Sequence, residues 1–195
     1  VVFLLALFSC VLLHEFGHIL MARRFGVRTP DVILLPIGGL ARLERMPDEP
    51  KQELLIAAAG PAVTLVIALA LFAGLRLAGA PLDGSSLEPG HEGLAQQVMW
   101  VNVVLLLFNL LPIFPMDGGR MLRAALAMRM DYARATRAAA NLGQGIALLF
   151  GLVGLMGNPF LVFIALFVWI GAAQESAATE MKFALSGTPL TRAMM

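Results

Sequence analysis

Apolar residues along this chain gather into long runs with short polar interruptions, not into the narrow stripes of amphipathic helices. Several runs reach the roughly 20 residues that a helix needs to cross hydrocarbon. The first, residues 1–22, stops at Arg23-Arg24, which mark a water interface, and carries His14, Glu15 and His18 in its second half. The second, residues 54–78, contains Gly60-Pro61, a pair tolerated in membrane helices because neighbours re-satisfy the freed backbone. The third, residues 98–114, meets Pro112, Pro115 and Asp117-Gly118-Gly119, so its far end is predicted to be non-helical. Gly157-Asn158-Pro159 then predicts a tight helical hairpin between spans at residues 142–156 and 160–173, with a tail from Gln174 polar enough to leave the membrane. Gly151, Gly154 and Gly157 recur every third residue there, a spacing for close helix packing in preference to a movable gate.

The intervening stretches read differently. Residues 31–43 are too short and too interrupted to span and predict an extended or hairpin segment lying against the membrane domain. Residues 81–97, with Asp83-Gly84-Ser85-Ser86 and Pro89-Gly90, predict an exposed loop, and residues 120–137 form a basic segment of helical composition. The fold class expected is an all-α integral membrane protein, a polytopic helical bundle of about five to six spans with that short membrane-associated segment. Residues 1–187 would form the membrane core, and 188–195 the start of a C-terminal linker or further domain.

Composition agrees: 59% of the 195 residues are hydrophobic and 14% charged, against about a quarter charged in soluble domains. The net charge of +1, with no basic segment interleaved with aromatics, excludes a nucleic-acid partner. The single cysteine, Cys10, has no partner for a disulfide or a CxxC motif, so it does not report a redox compartment. The chain opens on Val1, already apolar and without the basic start and cleavage site of a signal peptide, and its natural start is expected to lie upstream. Lysine and arginine near the spans sort into two basic segments, Arg23 to Lys51 and Arg120 to Arg137, while the opposite loop region holds only Arg76. The positive-inside bias puts both basic segments in the cytoplasm. The His14/His18 end of the first span and the Asp117 end of the third then lie on one side.

His14-Glu15-Phe16-Gly17-His18 is an HExxH pattern, in which imidazoles at i and i+4 share a helix face and can grip one zinc ion. Glu15 sits beside that face, placed to take a proton from an attacking water. Ionisable groups at membrane depth cost about 2.5–3.5 kcal/mol each on insertion scales. Three within five residues need a purpose beyond solvation. Catalytic zinc takes three protein ligands, so another residue must contribute. Candidates are Asp117, His91 and Cys10. His91 falls in the opposite loop, and Cys10, one turn before His14, has the ordinary reading of a small buried hydrophobe. Asp117 is preferred because Pro115 and the glycine pair free its backbone from helical geometry at the correct end of the span.

These motifs carry a resemblance. The HEFGH pentapeptide, the Gly60-Pro61 pair, and Asn109-Leu110-Leu111-Pro112-Ile113-Phe114-Pro115-Met116-Asp117-Gly118-Gly119-Arg120 resemble the site-2 protease family of intramembrane metalloproteases in order and spacing. The resemblance implies one Zn2+ per chain held by His14, His18 and Asp117, with Glu15 as general base. It also implies a zinc-dependent endopeptidase acting on membrane-spanning substrates, such as anti-sigma factors or tethered transcription regulators, in the cell membrane with the site toward the cytoplasm. Gly38 to Leu43 resembles the family's membrane-associated extended segment, where Gly38 and Gly39 would lie on an edge strand able to receive an unwound substrate. Asn109 matches a family asparagine near the site, suited to substrate or oxyanion binding or to a helix–helix hydrogen bond. Thr64 stands where the family often has an asparagine, which leaves a polar role there open. Residues 188–195 resemble the opening of a CBS domain, so nucleotide binding is expected only through a domain absent from this chain.

Two other functions compete. A non-proteolytic zinc protein that holds membrane clients needs ligands but no base beside them, and Glu15 counts against it. A metal transporter predicts polar residues strung across the membrane depth, whereas those here cluster at one end.

Overall fold

The computed structural model describes residues 1–27, 31–35, 38–42, 49–79 and 93–186. In chain order the elements are α1 (Val2–Arg24), β1 (Asp31–Leu35), β2 (Gly38–Arg42), α2 (Pro50–Leu77), α3 (Leu94–Asn109), α4 (Asp117–Ala127), α5 (Tyr132–Leu155) and α6 (Pro159–Ser186). Among the described residues the protein is all-α apart from one β-hairpin. Helices α1, α2, α5 and α6 are long and apolar enough to cross a membrane, and α3 is a shorter apolar helix. Large side chains such as Leu4, Leu20, Val66, Leu69, Leu149, Leu152, Phe163 and Leu166 are exposed along them, while much of the core is alanine. That inversion suits helices whose outer faces meet lipid and whose contacts rest on close packing. The chain is an integral membrane protein. The count of described spans, four with α3 as a fifth candidate, meets the lower end of the expected number.

The chain divides into two compact units, Val1–Leu110 and Leu111–Met195. In the first, α2 packs between α1 and α3, and β2 lies against α1. Gly17 permits the α1–α2 approach: a β-carbon there would stand 2.7 Å from the Ala59 carbonyl oxygen and 2.9 Å from Val63 Cγ2. The hairpin forms where expected, antiparallel, with Leu35 opposite Gly38, Leu34 opposite Gly39 and Asp31 opposite Arg42.

In the second unit, residues 111–116 form tight turns in which Ile113 N donates to Leu111 O (2.7 Å) and Met116 N to Ile113 O (3.0 Å). The non-helical end expected for the third span therefore starts after Asn109, earlier than the predicted limit of residue 114. The basic segment is two helices, not one: α4 ends at Ala127, and α5 starts at Tyr132, ten residues before the predicted span. Helix α6 continues through the polar tail to Ser186, where Glu175 pairs with Arg123 and the exposed Glu180 with Arg137. At the α5–α6 turn Gly154 would clash with Val162 if it carried a side chain (2.8 Å to Cγ2), so packing is the role of that glycine. His91 and residues 188–195 lie outside the described residues.

Candidate metal centre

The first half of the site is built on α1 and α2. His14 and His18 are 5% and 8% exposed, their rings nearly perpendicular at 80°. His18 Nδ1 donates to the Ile56 carbonyl oxygen at 2.7 Å. A carbonyl only accepts, so the proton is on Nδ1 and the lone pair on Nε2. His14 Nδ1 lies 2.8 Å from Thr64 Oγ1, whose hydroxyl donates to the Gly60 carbonyl oxygen at 3.4 Å. Thr64 thus accepts from His14 Nδ1, and His14 also presents its lone pair at Nε2. The two Nε2 atoms are 3.2 Å apart.

Two lone pairs at that separation repel unless a cation or a proton joins them. Imidazoles whose far nitrogens are tied to outer partners are the usual form of a histidine metal ligand. Gly60 completes the cradle. A β-carbon at that position would run into His18 Nε2 and stand 2.7 Å from His14 Nε2, so only glycine lets α2 pass this close to both nitrogens. The donor set fits a borderline-soft divalent ion such as zinc.

Glu15 follows His14 by about 100° around α1 and is half-buried. Cys10 is buried one turn before His14. In the second unit Asp117 is the first residue of α4 and 9% exposed. A carboxylate there gains from the helix dipole, and Gly119 lets the first turn of α4 fold against its lead-in, since a β-carbon would lie 2.6 Å from the Ile113 carbonyl carbon. Asn109 is the last residue of α3 and half-buried. Gly38 and Gly39 open β2. Sequence reasoning left Thr64 without a role, yet it is wholly buried and orients His14. A hydroxyl one helical turn after Gly60 was the available signal. It also passed over Asn102, fully buried on α3, whose amide donates to Val98 O at 2.8 Å.

With this geometry in view, comparison with known proteins decides the family. The model of peptidase family M50 matches residues 2–83 and 77–152. The chain belongs to peptidase family M50. Its M50 relatives include the zinc metalloprotease MJ0392 of Methanocaldococcus jannaschii, 40% identical over 93% of this chain and 51% of that protein. Another is the putative zinc metalloprotease Rip3 of Mycobacterium tuberculosis, 36% identical over 96% of this chain and 49% of that protein. The chain spans about half the length of these curated relatives. Among solved structures, the site-2 protease from Methanocaldococcus jannaschii superimposes with a TM-score of 0.68 at 39% identity, over 88% of this chain and 76% of that one. The M50 match thus bears out the resemblance to site-2 proteases seen in the motifs.

Proposed function

We propose that this chain is the catalytic core of a zinc-dependent endopeptidase that hydrolyses peptide bonds within or beside membrane-spanning segments. The observation that carries the reading is the pair of converging Nε2 atoms, each fixed by a hydrogen bond on its far side. His14 and His18 hold one zinc ion per chain, and Asp117 is the third ligand. Bound zinc supplies acidified water and a polarised carbonyl. Glu15 takes the proton from the attacking water and delivers it to the leaving amine. Asn109 binds the substrate backbone or the developing oxyanion. The printed names of the relatives, zinc metalloproteases among them, support this assignment. The two basic segments support a cytoplasmic location for the site, in the cell membrane. Its substrate would be a membrane-spanning regulator, for instance an anti-sigma factor.

The deciding experiment is metal analysis by mass spectrometry of detergent-purified protein. Wild type should carry about one zinc per chain and Asp117→Ala substoichiometric zinc. Zinc unchanged in Asp117→Ala would remove Asp117 from the ligand set. A folded wild type without zinc would favour the client-holding reading.

A substrate helix conceals its carbonyls in its own hydrogen bonds and must unwind before cleavage. In a two-stranded hairpin, alternate residues of β2 turn their N–H groups away from β1, and such an edge accepts an extended chain with little demand on sequence. Gly38 and Gly39 belong to that docking edge. Gly39→Pro should reduce cleavage about five- to tenfold, the worth of one backbone hydrogen bond, with zinc content unchanged; loss of zinc along with activity would count against strand docking.

A further inference from the structure

Arg123 is a large charged side chain with 1% exposure, buried in the second unit. It pairs with Glu175 of α6, and its Cζ lies 5.2 Å from the ring centroids of both Phe114 and Tyr132. Glu175 is partly exposed at 24%, and a pair of this kind adds little stability over apolar residues of the same size. The geometry the pair imposes concerns the segment leading into Asp117.

Phe114 is wholly buried and stands three residues before Asp117. Three contacts hold the turns around it. Gly119 of α4 presses against the Ile113–Phe114 peptide, where a β-carbon would meet Phe114 N at 2.7 Å. Gly171 of α6 presses against the Pro115 ring, where a β-carbon would meet Cδ at 2.6 Å. The Arg123 guanidinium covers the Phe114 ring. Gly171 and Glu175 are four residues apart and so share one face of α6. That face seats Pro115 with one turn and anchors Arg123 with the next.

We infer that Arg123, held by Glu175 and stacked on Phe114 and Tyr132, is a positioning residue that fixes the approach of Asp117 to the metal. This inference rests on the proposed zinc site. The planar guanidinium is required, because an ammonium at the same place can pair with Glu175 but offers no flat face to the rings.

The test is zinc affinity by chelator competition on the full chain in detergent, for wild type, Arg123→Lys, Tyr132→Leu, Asp117→Ala and the double variant Arg123→Lys/Asp117→Ala. Arg123→Lys should bind zinc about tenfold more weakly, the lower end of what loss of an outer support costs. Tyr132→Leu, which leaves the ion pair intact, should bind it about threefold more weakly. In the Asp117→Ala background Arg123→Lys should change nothing further, since its effect passes through Asp117. Affinities of both single variants within twofold of wild type would overturn the inference. So would an equal loss from Arg123→Lys with Asp117 already removed, which would mark a general structural role. If Arg123→Lys does not fold, an unchanged affinity in Tyr132→Leu overturns it alone. Wild type that binds no zinc would instead refute the zinc site itself.

Discussion

Replacing Gly60 with alanine is expected to abolish zinc binding while leaving the protein folded in detergent. The added methyl group would occupy the space against His18 Nε2 and His14 Nε2, the atoms that must face the ion. Relief requires either a turn of both imidazoles, which breaks the bonds to Thr64 and the Ile56 carbonyl, or a retreat of α2 from α1. Either change costs more than the roughly 10–100-fold in affinity that follows from losing one outer hydrogen bond. Gly74 supplies an internal control on the same helix, because nothing lies within 4 Å of a β-carbon placed there. Alanine at Gly74 should bind zinc as wild type does, and its higher helix propensity should make it no less stable. Equal zinc content in the Gly60→Ala protein would show that the two nitrogens do not converge on a metal.

The second large effect separates chemistry from binding. Glu15→Gln should lower hydrolysis of a reconstituted transmembrane substrate by roughly 10²–10⁴-fold, the usual worth of a positioned general base, with zinc content equal to wild type. Glutamine keeps the size and a carbonyl oxygen but cannot accept the proton. A cleavage assay on gels, paired with metal analysis of the same preparation, gives both numbers. Cleavage at the wild-type rate would assign the base elsewhere. Retained zinc with lost cleavage would dispose of the client-holding alternative, in which Glu15 has no task.

Much of this arrangement was legible before any coordinates. The HExxH pattern specifies its own geometry, because residues four apart on a helix share a face, and apolar runs of spanning length report helices through the cost of exposing backbone to lipid. The pairing of β1 with β2 could be read because the segment was too short to span. What escaped were pairings between distant elements. Thr64 had no visible partner fifty residues away in sequence, and nothing local reveals that its hydroxyl meets His14. The ion pairs of the α6 tail escaped for the same reason: Arg123 and Arg137 lie more than forty residues from Glu175 and Glu180 in sequence. The early end of α3 was blurred because Leu110, Leu111 and Ile113 prolong the apolar run past the last helical residue.

Under the proposed zinc site, the length of α1 beyond His14 and His18 would set a gauge for where a substrate is cut. His18 and His14 lie six and ten residues before Arg24, the basic end of the helix, or about 9 and 15 Å along its axis. With Arg24 at the edge of a hydrocarbon layer about 30 Å thick, the proposed reaction would cut a substrate between a third and a half of the way across. The severed end nearest that face would then be a stub too short to hold in the bilayer as a helix. Release of that fragment into water would follow from cleavage without further work, whereas the remainder of the substrate would stay behind.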